Sequence, residues 1–559
     1  MRGRDVILES LVAHGVEYIF GNPGTTESPL TDNLHAYPPL SYIVSLHEGV
    51  SIGAASYYAQ ASGRAGIVNL HVAPGLGNAV GMLYGALKAN SPMVVTAGQQ
   101  DTRLRLRAPL LGHDLVAMAA PVVKWSVQAE RADECADIMR RAFKIAHDPP
   151  AGPVFVALPI DVMEAETSIA AMLPSELSTT TQRRTPDPDR ETLAELVRYL
   201  LAAKAPTIVI GDDVARARAG GAVMALAEAL GAPVWDEVIH NQQAVPSAHP
   251  NYRGFLPGVA SAIASALGPA DTVLMIGGPF FEEVWHSGGM PFPRNCILLQ
   301  IEESAERLAA NYPLTAGMVA GLGPSLANLV DALRGGQTAT ARKAAQARNQ
   351  AFAVLKNEAS MAQVASLETE RERRPMPVPL VIDVLARAVP ENTVIVEEAI
   401  TGSPILTRMF DFAGPGDYFC GRGGGIGQGI AGALGVKLAL PTRPLLCISG
   451  DGSAMYSITA LWTAAHHKLP IIFIILANRE YRILKQNIDI YRDRFAIDSN
   501  RDYAHLDLLE PELGFIEMAA GMGVKGVRVS EPEELAAAVT GAVASLEARV
   551  IEVAVEGKK

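Results

Sequence analysis

The chain has 559 residues, too many for one core; at about 100–200 residues per domain it predicts three or four domains. Hydrophobic residues make up 49% and charged residues 19%, which excludes a disordered chain and fits a soluble globular one. A formal net charge of −12, with no basic stripe, excludes nonspecific nucleic-acid binding but leaves small anionic substrates open, because local charges decide those.

The N-terminal MRGRDVILESLVAHGVEYIFGNPG reads as a helix and then a strand, without the long apolar region of a signal peptide. In the first block, 1–172, GVEYIFG, AGIVNLHV, PMVVTAG and GPVFVALP read as buried strands between helical patterns. Residues 173–190, LPSELSTTTQRRTPDPDR, are polar and proline-punctuated and read as a linker. The second block, 190–335, repeats the alternation with PTIVIGDD, APVWDE, DTVLMIGG and CILLQIE. Residues 335–378 open on Gly-Gly and close on a charged, proline-flanked run; their Ala-, Lys-, Glu- and Gln-rich middle predicts a surface helix. The third block, 376–559, carries TVIVEEA, PLLCISGDG, PIIFIILAN and RVIEVAV.

Near-continuous apolar strands separated by helices indicate parallel sheets covered on both faces. The fold class is therefore α/β, with three doubly wound parallel-sheet domains. The longest apolar runs, such as IIFIILA, are strand-length, short of the about 20 residues of a spanning helix, so no membrane partner is expected. Cys135, Cys296, Cys420 and Cys447 are scattered without metal-ligand spacing, which predicts free thiols in a reducing compartment, the cytoplasm.

The third block contains SGDGSAMYSITALWTAAHHKLPIIFIILANREY, from Ser449 to Tyr481. PLLCISG is a strand ending at Gly450, the apolar residues Met455, Ile458, Leu461, Trp462 and Ala465 have helical spacing, and LPIIFIILAN is the next strand. This βαβ unit puts Asp451 and Asn478 just past the carboxyl ends of parallel strands, the edge where open α/β sheets bind ligands. A carboxylate and an amide oxygen form a hard-oxygen pair that suits Mg²⁺, which takes its other ligands from phosphates and water. The N–H groups of Gly452 and Ser453 open the helix and favour an anion. The expected ligand is a Mg²⁺-bridged diphosphate.

The pattern GDGS…AN resembles the thiamine-diphosphate signature, and GDGSAMYSITALWTAAHH resembles benzoylformate decarboxylase and its relatives in the 2-oxo acid decarboxylase / acetolactate synthase superfamily. The resemblance implies three domains: pyrimidine-binding, central Rossmann-like and diphosphate-binding. It implies that Asp451, Asn478 and the main-chain carbonyl of Glu480 hold the metal, with Tyr481 beside the cofactor. The family's usual Asn-Asn pair is here Ala477-Asn478, and the retained second Asn is the ligand. In SLHEGVSIGAASYYAQASG, Glu48 by itself reads as a first-turn glutamate favoured by the helix dipole. The resemblance makes it the acid hydrogen-bonded to the cofactor's aminopyrimidine.

FGNPGTTE and VNLHVAPGLGNAVG are strand-to-helix turns of the same resemblance. They imply that Thr25 contacts substrate and that His71 is an active-site histidine, able to exchange protons near neutral pH. His286, in MIGGPFFEEVWHSGG, and His113, in LLGHDLVAMAAPVVKW, are further candidates; His466 and His467 read as structural or exposed. FCGRGGGIGQGIAGALG fits neither a P-loop nor a clean G-x-G-x-x-G. By resemblance, Ile426 wedges under the cofactor and Gly424 offers it a carbonyl, while Thr401 of EEAITGS helps to bind the diphosphate. Ile400, Ile483 and Asn487 differ from the residues of the nearest relatives, which leaves an aromatic substrate open. The implied reaction is decarboxylation of a 2-oxo acid to an aldehyde and CO₂. The alternatives are a carboligase similar to acetolactate synthase and an oxidase with FAD in the central domain. A homodimer or homotetramer is expected, with the cofactor between the first domain of one chain and the third of another.

Overall fold

In the computed structural model, which describes residues 1–170, 185–286 and 288–557, the buried runs form three six-stranded sheets with every paired strand parallel. The first comprises β1 (Tyr18–Gly21), β2 (Ser41–Val44), β3 (Gly66–Leu70), β4 (Met93–Gln99), β5 (Ser126–Gln128) and β6 (Pro153–Pro159), in the order β2-β1-β3-β4-β6-β5. The second comprises β7 (Pro206–Ile210), β8 (Val234–Asp236), β9 (Tyr252–Phe255), β10 (Thr272–Ile276), β11 (Ile297–Glu302) and β12 (Ala316–Val319), in the order β12-β11-β10-β7-β8-β9. The third comprises β13 (Val394–Glu398), β14 (Tyr418–Cys420), β15 (Leu445–Gly450), β16 (Ile472–Ala477), β17 (Lys525–Val529) and β18 (Arg549–Ala554), in the order β14-β13-β15-β16-β18-β17.

The first and third sheets share one strand order. The central sheet has the Rossmann order, with its switch point between β7 and β10. Its connection to the third sheet includes a 32-residue helix, Ala339–Glu370, largely exposed, where the composition predicts one. Most of the 173–190 linker, residues 173–184, lies outside the described residues. No described helix is long and apolar enough to cross a membrane.

The outer units meet through two helices, Glu48–Ser62 after β2 and Gln428–Ala439 after β14. Both are rich in Gly and Ala, which brings their backbones close. A Cβ on Gly53 would lie 2.7 Å from that of Ala431, and one on Gly435 would collide with the Ala54 carbonyl. One continuous apolar core therefore runs from Phe20 and Val68 of the first unit to Leu445 and Phe473 of the third. The central unit has its own core.

The crossover between β15 and β16, expected as one helix, is two short ones, Asp451–Ala454 and Ala460–His466. Between them the Ser457 hydroxyl donates to the Gly427 carbonyl at 2.6 Å, so the chain leaves the helical path to tie down the glycine-rich loop. The four cysteines are free thiols; Cys135 and Cys447 are buried, and Cys296 and Cys420 are half-buried.

Candidate active site

β15 and β16 are paired neighbours, with Gly450 opposite Leu476, so Asp451 and Asn478 leave the sheet at the same edge. Asp451 Oδ2 accepts the Arg479 N–H at 2.6 Å, which places the carboxylate against the turn that carries Asn478 and Glu480. Arg479 has φ +61, and Asn478 Oδ1 accepts the Glu480 N–H at 3.0 Å, closing that turn. The Glu480 carboxylate is engaged by Arg482 (3.0 Å) and Lys485 (2.5 Å), so its main chain is the part left for the site. Burial pushes the Asp451 carboxyl up to about 6, against the Arg479 and Gly452 N–H groups that favour its ionised form.

Of the two N–H groups expected to face an anion, that of Gly452 donates to Asp451 Oδ1 at 2.8 Å. A Cβ on Gly452 would lie 2.5 Å from the Tyr481 ring, so only glycine lets that ring lie over the turn. No three His, Cys, Asp or Glu side chains converge as a metal cluster among the described residues. The donors at this edge are a carboxylate and an amide oxygen, a set that fits Mg²⁺ completed by a carbonyl, phosphate and water.

The second group of candidates lies at the carboxyl edge of the first sheet. Glu48 opens its helix, buried, with His47 capping the Gly49 N–H. Its Oε2 accepts the Asn78 side chain at 3.0 Å and its Oε1 accepts Asn22 at 3.3 Å. Glu48 is thus held between the turn after β1 and the helix Val72–Lys88, both within stretches that the sequence singles out, rather than merely placed in a helix dipole. His71 stands at the N-cap position of the helix Val72–Lys88, its side chain turned instead to Glu27, with Nδ1 3.0 Å from Glu27 Oε2. Thr25 is exposed in the turn after β1. Adjacent strands β2, β1 and β3 therefore deliver Glu48, Thr25 and His71 to one edge.

The third element is a cavity of about 830 Å³ lined by Ile400, Glu398, Val284, Phe255 and the loop Gly421–Ile426, which includes Gly424 and Ile426. Gly423, Gly424 and Gly427 all have positive φ. The following helix starts on a buried carboxylate: Glu398 accepts the N–H groups of Gly427 (2.7 Å), Gln428 (3.1 Å) and Gly429 (2.9 Å). Burial pushes the Glu398 carboxyl up to about 8 against these three bonds. A phosphate-cradling reading of this loop is thereby excluded, because the helix terminus is already filled. Thr401 is half-buried in the turn before Ser403–Met409.

The structure does not gather all the histidines. His286 is exposed and its carbonyl is bonded by Arg494, while Val284 of the same loop faces the cavity. His113 is exposed, and its carbonyl accepts Gln99 Nε2 at 2.7 Å. His467 Nε2 accepts the Val44 N–H at 3.0 Å, a structural tie between the outer units. Ile483 and Asn487 lie half-buried on the helix Arg482–Arg494. Sequence reasoning missed Glu27, Glu398, Asn22 and Asn78. Glu27 and Glu398 stand within the quoted FGNPGTTE and EEAITGS, and a charged residue at a strand end was their only signal.

Comparison with known proteins identifies the family. Residues 1–118 match the description "Thiamine pyrophosphate enzyme, N-terminal TPP binding domain", 193–329 the central domain, and 401–553 the C-terminal TPP binding domain. The chain is 32% identical over 549 residues to benzoylformate decarboxylase of Pseudomonas aeruginosa, covering 98% of this chain and 97% of that protein. It is 25% identical to the large subunit of acetolactate synthase isozyme 3 of Escherichia coli, covering 96% and 91%. Among solved structures, the thiamine diphosphate-dependent 4-hydroxybenzoylformate decarboxylase of Rhodococcus jostii superposes with a TM-score of 0.86 at 28% identity, covering all of both chains. Three α/β units, all three domain descriptions and a near full-length relative agree: the chain belongs to the thiamine pyrophosphate enzyme family.

Proposed function

We propose that this protein is a thiamine diphosphate- and Mg²⁺-dependent decarboxylase that converts a 2-oxo acid to an aldehyde and CO₂. The observation that carries the reading is the Asp451–Arg479 contact, which assembles an oxygen-donor turn, together with a buried Glu48 held by two amides. Asp451, Asn478 and the Glu480 carbonyl would hold the metal against the diphosphate. Gly424 and Ile426 would contact the cofactor's rings, with Thr401, Ser453 and Tyr481 around its phosphates. When bound, thiamine diphosphate supplies the electron sink that makes loss of CO₂ feasible.

The chain's own residues supply the rest. Glu48 would hydrogen-bond the cofactor's aminopyrimidine, oriented by Asn22 and Asn78. With Glu27 ionised, His71 would donate Nδ1–H to it, which would leave Nε2 for proton exchange with the reacting group. Ile400, Val284 and Phe255 give the cavity an apolar wall, which favours a 2-oxo acid with an apolar side chain. The domains are proposed as 1–172, 190–335 and 376–559, and the working unit as a homodimer or homotetramer sharing sites between subunits. No hydrogen bond or ion pair joins Glu48 to Asp451, Asn478 or Glu480 among the described residues of one chain.

The second reading is a carboligase, favoured by the full-length similarity to acetolactate synthase. Product analysis with benzoylformate, pyruvate and branched 2-oxo acids, with and without an acceptor aldehyde, separates the two. Free aldehyde equal to CO₂ supports the decarboxylase. A 2-hydroxyketone or acetohydroxyacid as main product supports the carboligase, and no turnover of any substrate rejects both.

A further inference from the structure

The loop Gly421–Gly427 contains five glycines, so it is costly to order and has few side chains with which to hold itself. Its one charged side chain, Arg422, is 1% exposed. The guanidinium is gripped from another unit. Nη1 donates to Asp212 Oδ2 at 2.6 Å, and Nη2 donates to Glu237 Oε1 at 3.0 Å and Glu282 Oε2 at 2.9 Å. Nη1 also bonds the Ile239 carbonyl. Asp212 follows β7 and Glu237 follows β8, so both belong to the carboxyl edge of the central sheet.

Glu282 extends the chain of charges, since its Oε1 accepts Lys88 Nζ from the first unit at 3.1 Å. All three units therefore meet at Arg422. The residue is anchored locally as well: its carbonyl accepts Gln428 Nε2 at 2.9 Å, and that amide also bonds the Gly425 carbonyl at 2.6 Å. A displacement of the guanidinium is thereby passed to Gly423, Gly424 and Gly425.

We propose that Arg422 is a positioning residue for the cofactor: the central unit's Asp212, Glu237 and Glu282 hold its guanidinium and so fix the Gly424–Ile426 segment that contacts the cofactor's rings. This deepens the proposed function and rests on its assignment of Gly424 and Ile426. It gives the central unit a task in cofactor binding at a distance, through two charge pairs that are nearly inaccessible to solvent, to Asp212 and Glu237, and a third to the half-exposed Glu282. Because Arg422 is buried, its removal would leave three carboxylates short of a partner, whereas Glu282→Gln is isosteric and sits at a half-exposed position.

The test is a titration of thiamine diphosphate with Mg²⁺ into the full-length protein freed of cofactor. Binding is read by calorimetry and Tm is measured in parallel, for the wild type, Arg422→Lys, Glu282→Gln and Arg307→Lys. Arg307 is the control. It joins the central unit to the first through Asn90 and pairs with Asp213 of its own unit, both at 2.9 Å, without touching the glycine loop. Arg422→Lys and Glu282→Gln should each weaken cofactor binding about tenfold, the size of one charged hydrogen bond. Arg307→Lys should lower Tm while holding Kd within about twofold.

Wild-type Kd in both Arg422→Lys and Glu282→Gln overturns the proposal, as does a Kd loss in Arg307→Lys that matches theirs, because that outcome marks a general structural role. If Arg422→Lys does not fold, Glu282→Gln decides by the same criterion. A wild-type protein that binds no thiamine diphosphate overturns the parent reading itself, an outcome distinct from selective loss in the variants.

Discussion

His71 Nδ1 stands 3.0 Å from Glu27 Oε2, and Glu27 exposes none of its side chain. The same carboxylate accepts the N–H groups of Gly24 and Gly98, each at 2.8 Å, and the Thr26 hydroxyl at 2.8 Å. Four donors converge on two oxygens, so the ring of His71 is held by a residue that is itself fully engaged. Glu27→Gln replaces one acceptor oxygen with a donor among donors. We expect a loss of about 1–3 kcal/mol in stability, read as a fall in Tm, and a kcat about tenfold lower as the imidazole loses its fixed tautomer.

Glu48 is held by Asn78 and Asn22 in a way that an amide can partly reproduce. Glu48→Gln should therefore fold and bind cofactor, while its kcat falls by about 100-fold or more. Retained binding with wild-type turnover would remove Glu48 from the chemistry.

Asp451→Ala deletes the carboxylate proposed to hold the metal together with its bond to Arg479. Mg²⁺-dependent cofactor binding should be lost in calorimetry. Mixing this variant with Glu48→Gln should restore part of the activity if each site draws Glu48 and Asp451 from different subunits. No recovery after demonstrated subunit exchange would rule out shared sites.

Burial pushes the Asp236 carboxyl up to about 7 in the folded protein, with Glu302 raised alongside it to about 7. Between the ordinary carboxylate range and these values the native state binds more protons than the unfolded one. Stability should accordingly fall as pH rises from about 4 to 8, at up to about 1.4 kcal/mol per pH unit for each group. Asp236→Asn removes its own share, and denaturant melts across this window should show a shallower pH slope.

Gly435→Ala sets a methyl group against the Ala54 carbonyl at the contact of the two outer units. We expect a loss of about 1–3 kcal/mol, seen in the denaturation midpoint, as the helices are forced apart.

Long central strands were legible because they are apolar throughout: every residue of β4, β6 and β16 is buried. The edge strand β17, Lys525–Val529, was not, since four of its five residues are exposed and no apolar pattern marks it. β5 is three half-buried residues and gives equally little signal. The Asp451–Asn478 pairing was legible because both residues end long strands that must lie side by side. Glu398 and Glu27 were opaque for the opposite reason. Their partners Gly427 and Gly98 lie 29 and 71 positions away, and nothing local shows that a carboxylate will cap them. The broken crossover helix has the same cause, a bond from Ser457 to a loop 30 residues earlier.

The outer sheets repeat one strand order, and the helices that join them each follow the second strand of their sheet. Equivalent helices therefore meet where the two outer units touch, and the pair resembles two halves of a homodimer written into one polypeptide. In a true homodimer every residue placed on one half recurs on the other. Fusion removes that obligation. Asp451, after the third strand of its sheet, and His71, after the third strand of the other, hold corresponding positions and have become different kinds of group. Under the proposed function, duplicated architecture of this sort would let acid–base chemistry and metal binding specialise on separate copies, so that each can change without disturbing the other.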